Sequence, residues 1–201
     1  MNGSEIPLLQ LALALCVGIS LSAACGFRVF VPLLAVAVGM RCTGLTVNEH
    51  LAWLGSNTAL VCLSVATVVE ILAYYIPWVD NALDSVSTPL AMVAGAIVTT
   101  GLLPEMPDFA QWGIGIVAGA GAAGTVQLGT SATRGASSAS TGGLGNCIVA
   151  TAENVLSVLG SVLALLAPLV AVIGALIVIV LACRALLHLC RKVRGTRPAN
   201  T

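Results

Sequence analysis

The sequence predicts an all-α, polytopic helical membrane protein, with about five full transmembrane helices, two short broken or re-entrant segments and an internal inverted repeat. Three observations predict it. Of 201 residues, 58% are hydrophobic and only 8% charged, against roughly 25% charged in soluble domains. Four uncharged runs, Ile6–Phe27, Ser85–Pro104, Phe109–Thr133 and Asn154–Cys183, reach the length of roughly 20 residues that crosses a hydrocarbon core. A fifth run is bracketed by Trp53 at one end and Tyr74, Tyr75 and Trp78 at the other. That is the aromatic belt of a membrane span.

Taken in order, Ile6–Phe27 reads as a retained first span, because Glu5 and the absence of Lys or Arg before it argue against a cleaved signal peptide. Val29–Met40 has 12 residues, too few to cross and suited to a re-entrant segment, with Pro32 in its first turn. The Trp53–Tyr75 helix carries Glu70 inside the belt. Pro77 ends that helix, and Asp80, Asn81 and Asp84 form an acidic turn. A tight loop at Pro104–Asp108 leads into a Gly-rich span, where Gly115 and Gly119 make a small-residue face for close helix packing. The polar tract Thr130–Asn146 is either a solvent loop or a broken, functional element inside the bilayer. The last span, Asn154–Cys183, is kinked at Pro168.

The whole chain, 1–201, reads as one transmembrane domain. Sliding it by 106 positions superposes Arg28 on Arg134, Gly39 on Gly145 and Asn48 on Asn154. This suggests repeat halves 6–79 and 109–185, joined by the span 85–104. The tail 184–201 is basic, with Arg184, Arg191, Lys192, Arg194 and Arg197. By the positive-inside rule this places the C-terminus in the cytoplasm and the N-terminus outside. So short a basic run beside an apolar helix anchors to a bilayer rather than to nucleic acid. The seven cysteines show no CxxC pair, and no disulfide framework, metal site or cofactor is implied.

Ionisable groups within spans are costly and need a partner or water. Arg28, Glu70 and Arg134 are therefore candidates for a substrate or ion path, with Glu153 as a further counter-charge or proton acceptor. Ser137, Ser138, Ser140 and Thr141 would add hydroxyls. Gly142, Gly143 and Gly145 would let backbone amides approach an anion, with Asn146 at the end of the tract. The structural alternative is a mutually neutralising Arg28–Glu70 pair and an Arg134 that snorkels to the headgroups. Asp80 and Asp84 read first as a solvated turn. No nucleophile–base pair or nucleotide loop is present, so an enzyme is not expected.

The blocks Gly26-Phe27-Arg28-Val29-Phe30-Val31-Pro32, Ala66–Glu70, Ile76-Pro77-Trp78-Val79-Asp80-Asn81-Ala82-Leu83-Asp84 and Thr141–Asn146, together with Glu153, resemble the bacterial membrane family called domain of unknown function 4126. The resemblance covers about residues 8–185. It implies an integral protein of the bacterial inner membrane and no settled activity. Its matching residues are Arg28, Pro32, Glu70, Pro77, Asp80, Asp84, Arg134, Gly142, Gly143, Asn146 and Glu153. Ahead of Arg134 the chain departs from the family pattern, with Gln127, Leu128 and Thr130 where a His and a Lys are usual. The leading expectation is an oligomeric transporter or channel-like protein for an anionic solute or lipid headgroup. The alternatives are a non-transporting scaffold or partner subunit, and proton- or cation-coupled transport through Glu70.

Overall fold

A computed structural model describes residues 8–195. The positions Ile6 and Pro7 of the first span and 196–201 of the basic tail lie outside the described residues, as do the side chains at 77, 78, 81, 189, 190 and 192–195. Seven helices follow one another: α1 (Leu8–Cys25), α2 (Phe30–Cys42), α3 (Asn57–Ala73), α4 (Pro77–Leu102), α5 (Asp108–Thr141), α6 (Asn146–Leu166) and α7 (Pro168–Gly195). There is no strand among the described residues. Five of the helices are long and apolar enough to cross a membrane. Their outer faces are apolar: Leu169, Val170, Ile173, Leu176, Ile177 and Val180 all stand exposed along α7. A continuous face of this kind suits lipid rather than water.

The expected count of five long and two short segments is found, but the second short segment is α3 and not the polar tract. Ser56 starts α3 by accepting a 3.0 Å hydrogen bond from the Ala59 amide. Trp53 lies before this cap, in a single 3-10 turn at Ala52–Gly55, so the bracketed run is shorter than its aromatic spacing suggested. Three further boundaries differ from the sequence reading, each for a local reason. Pro77 opens α4 rather than only ending α3, as a proline tolerated at a first helical position does. Asp80 and Asp84 are therefore one turn apart on a helix and not in a turn. Pro168 opens α7 rather than kinking a single span, because the residue before a proline is pushed out of the helical region. Ala167 obliges at φ −143°, ψ 70°.

The tract Thr130–Asn146 is neither a loop nor a separate broken segment. Helix α5 runs through it to Thr141, since Thr133, Ser140 and Thr141 satisfy their hydroxyls on carbonyls one turn back. Gly142 and Gly143, at φ 63° and 93°, then end the helix. With 34 residues, or about 51 Å at 1.5 Å per residue, α5 outreaches a hydrocarbon core of about 30 Å. Its Ser-rich last turns project from one end of the bundle.

Helices α1 and α2 form a hairpin. α1 runs antiparallel to α4, with the Ser22 hydroxyl 2.8 Å from both the Gly95 carbonyl and Thr99 Oγ1. Near the hairpin tip, the Ala24 carbonyl accepts from Ser157 of α6 and the Arg28 side chain reaches Glu153. Gly39, near the far end of α2, abuts Leu165 near the end of α6. The hairpin therefore enters from the Leu8 end of the bundle and returns to it. Its tip stops level with Glu153, seven residues into α6 and about 10 Å short of that helix's start.

The packing of α5 on α4 explains its glycines. A Cβ on Gly115 would strike Thr100, and one on Gly119 would strike the Gly95 carbonyl, so the small-residue face serves a contact within this chain. The π-turn Gly115–Ala120 occupies the same stretch. Gly119→Val is expected to cost about 1–3 kcal/mol by overpacking, read as a lower unfolding midpoint in detergent. Gly113→Ala, whose added Cβ meets nothing within 4 Å, should leave the midpoint in place. Equal midpoints for both would contradict this packing.

Candidate functional site

Four helices, α3 to α6, and the hairpin tip converge on one buried polar network. Arg28 stands in the tip between α1 and α2, 1% exposed. Its Nη1 donates to Glu153 Oε2 at 2.9 Å and to the Phe27 carbonyl at 2.9 Å, its Nη2 to the Ala150 carbonyl at 3.2 Å, and its Nε to Asn154 Oδ1 at 2.6 Å. Arg134, fully buried on α5, donates from Nε to Glu153 Oε1 at 3.1 Å and from Nη1 to Asp80 Oδ1 at 2.9 Å. The same Nη1 lies 2.7 Å from Asp84 Oδ1, and Nη2 lies 3.0 Å from Glu153 Oε2. Glu153, on the inner face of α6, is thus shared by both guanidiniums.

The aromatic ring of Tyr74 completes the arrangement. The Arg28 and Arg134 guanidinium carbons lie 3.9 and 4.3 Å from its centroid. Both cations lie within cation–π reach of the ring, which attracts them through its quadrupole. The Tyr74 hydroxyl is fixed by Ser87 of α4 at 2.6 Å.

Glu70 does not pair with Arg28. Its carboxylate accepts from the Val29 and Phe30 amides at 2.7 and 3.0 Å, satisfying donors that the start of α2 leaves free. Asp80 is 1% exposed and so is no solvated turn residue. Its second oxygen accepts from Asn146 Nδ2 at 2.8 Å, and the same amide donates to Ser138 at 3.0 Å. Asp84, with a side chain 17% exposed, is the network's contact with the outside.

The structure therefore brings together Arg28, Arg134, Asp80, Asp84, Glu153, Asn146 and Ser138, with Glu70 one layer away as a helix cap. It does not bring in Ser137, Ser140, Thr141, Gly142 or Gly143. The Ser137 carbonyl and the Ser140 and Thr141 hydroxyls bond within α5, and the amides of Leu144, Gly145 and Asn146 donate to Thr141 and Gly143. The two glycines, at positive φ, shape the turn that ends α5. Snorkelling by Arg134 is likewise not seen, since its charge is met inside. Tyr74 and Asn154 are the site residues that sequence reasoning missed. Tyr74 follows Glu70 by four residues, one helical turn, and that spacing was the available signal. Among the described residues no group of three or more His, Cys, Asp or Glu side chains is placed to hold a metal ion.

Removing Glu153 would leave two buried guanidiniums short of a partner. Glu153→Ala is expected to cost about 3–5 kcal/mol, measured by unfolding in detergent, and Asp84→Asn distinctly less because Asp84 is partly solvated. Matching losses would show that Glu153 is not the keystone.

The sequence matches the model of a family described as Domain of unknown function (DUF4126) over residues 15–188. No curated protein and no solved structure matches it.

Proposed function

We propose that this chain, which belongs to that family of unknown function, is a secondary transporter that admits an anionic group to the place Glu153 occupies, once Glu153 is protonated. One observation carries the reading: Glu153 Oε2 sits 2.9 Å from Arg28 Nη1 and 3.0 Å from Arg134 Nη2. The carboxylate behaves as a tethered anion lodged between two cations.

The exchange follows from charge. Ionised, the network sets three carboxylates (Asp80, Asp84 and Glu153) against two guanidiniums, one negative charge in excess. An entering anion would double that excess, and uncompensated charge is costly in a low-dielectric interior. A proton on Glu153 removes both the excess and the occupant. Arg28 then keeps only neutral acceptors (Phe27, Ala150 and Asn154), while Asp80 and Asp84 still hold Arg134. A monovalent anion restores the starting charge, so proton and anion travel together. Glu70, committed to two helix amides, is a weaker candidate for coupling than Glu153. The solute is a small anion or an anionic lipid headgroup.

Reconstituted vesicles test this with an imposed pH gradient, following labelled phosphate in one arm and a labelled anionic lipid in the other. Wild type is expected to accumulate anion with the gradient. Glu153→Gln should still bind anion but lose the response to pH, and Arg28→Ala should lose uptake. If Glu153→Gln keeps the wild-type pH response, the exchange is wrong. If no variant or wild type moves anion in either arm, the network is a structural staple and the scaffold alternative stands.

A further inference from the structure

The transport reading requires a connection from Glu153 to each end of the bundle. Toward the Thr141 end the distance is short, since the Asp84 side chain is partly exposed. Toward the Leu8 end stands an apolar layer of Leu33, Val36, Ala37 and Ala164, backed by Met40, Leu45 and Leu165. Between the network and that layer lies the buried face of α6, which carries Glu153, Ser157 and Ser161 at four-residue intervals. That spacing puts the three on one stripe, neighbouring Cβ atoms about 5–6 Å apart, and Ser161 about 12 Å from Glu153 along the axis.

Neither serine returns its hydroxyl to its own helix. A helical serine ordinarily returns its hydroxyl to the carbonyl one turn back, as Ser20, Ser64 and Ser140 do here on Cys16, Leu60 and Ala136. Ser157 instead donates across to the Ala24 carbonyl at the end of α1, at 3.2 Å. That oxygen already accepts from the Phe27 and Arg28 amides. Ser161 is 1% exposed and its hydroxyl has no protein partner. An unmet buried hydroxyl costs about 1–3 kcal/mol, which close packing alone would have avoided by placing alanine there, as at Ala150 and Ala164 on the same face.

We propose that Ser157 and Ser161 line the second half of the path, carrying the proton and anion between Glu153 and the Leu8 end. The layer around Leu165 and Met40 closes that half in the conformation described. The proposal rests on the transport reading. Hydroxyls suit the role because each both donates and accepts, so each can hydrate an anion or pass a proton through a bridging water. The conformation is then shut toward the Leu8 end, and the partly exposed Asp84 marks the shorter approach from the Thr141 end. Movement of α2, whose Gly39 abuts Leu165, is the way to open it.

Two measurements decide the matter. Ser161→Cys in vesicles is expected to add a reaction with a membrane-impermeant, cationic methanethiosulfonate over that of the wild-type chain. Val162→Cys, on the lipid-facing side of the same turn and 44% exposed, should add none. Equal addition at both sites, or none at Ser161→Cys, overturns the path. In the uptake assay, Ser157→Ala with Ser161→Ala is expected to slow pH-driven anion accumulation by about tenfold or more with the unfolding midpoint retained. Unchanged accumulation also overturns it. If wild type moves no anion at all, the transport reading falls, and labelling at Ser161→Cys still decides whether this stripe is wet.

Discussion

The carboxylate of Glu153 holds the molecule's interior together, because it is the partner shared by two buried guanidiniums from distant parts of the chain. Desolvating an ion costs several kcal/mol, and a buried pair recovers it only with good geometry and satisfied neighbours. Here the geometry is supplied from every side: the hairpin tip brings Arg28, α5 brings Arg134, α4 brings Asp80 and Asp84, and the end of α3 brings Tyr74 against both cations. Each element is located by its contribution to one charge balance. Apolar packing alone would not specify such a placement in lipid, where every apolar face is equally well solvated.

The surrounding helices are arranged so that this balance is enclosed but not sealed. Small residues let α4, α5 and α1 approach closely around Gly95, Ser22 and Gly119. The hairpin tip, by contrast, ends part-way along α6, and α3 packs chiefly on α2. From the turn after α3, the Tyr75 hydroxyl pairs with Thr151 of α6 at 3.0 Å and accepts from Asn154 at 3.4 Å. A close-packed unit of α1, α4 and α5 thus faces a more lightly attached α2–α3 pair across the network.

The fold class and most of the charged site were legible in the sequence, because long uncharged runs and the few ionisable residues inside them are constrained by lipid alone. Arg28, Arg134 and Glu153 stood out for that reason. Partners across the bundle were not legible: Glu70 could be assigned to Arg28 only by proximity in sequence, whereas the start of α2 competes for it with two amides. Asp80 and Asp84 were misread because a proline signals both the end of one helix and the start of the next. The Ser- and Thr-rich tract was misread because its hydroxyls can satisfy themselves on the helix behind them, so polarity there did not mean an irregular backbone. The serines of α6 drew no notice, since burial and orientation, not residue type, set them apart.

The hairpin tip raises a problem of order during synthesis. Arg28 meets Glu153 across 125 residues of sequence, so α1, α2 and everything up to α5 are made before its charge partner exists. Placing a lone arginine at the centre of a bilayer costs roughly 2.5–3.5 kcal/mol on insertion scales. The tip must therefore wait near the interface, or in the shelter of the insertion machinery, until α6 emerges and draws it to depth. On this account the hairpin is translated well before α6 and is among the last parts to reach its final position.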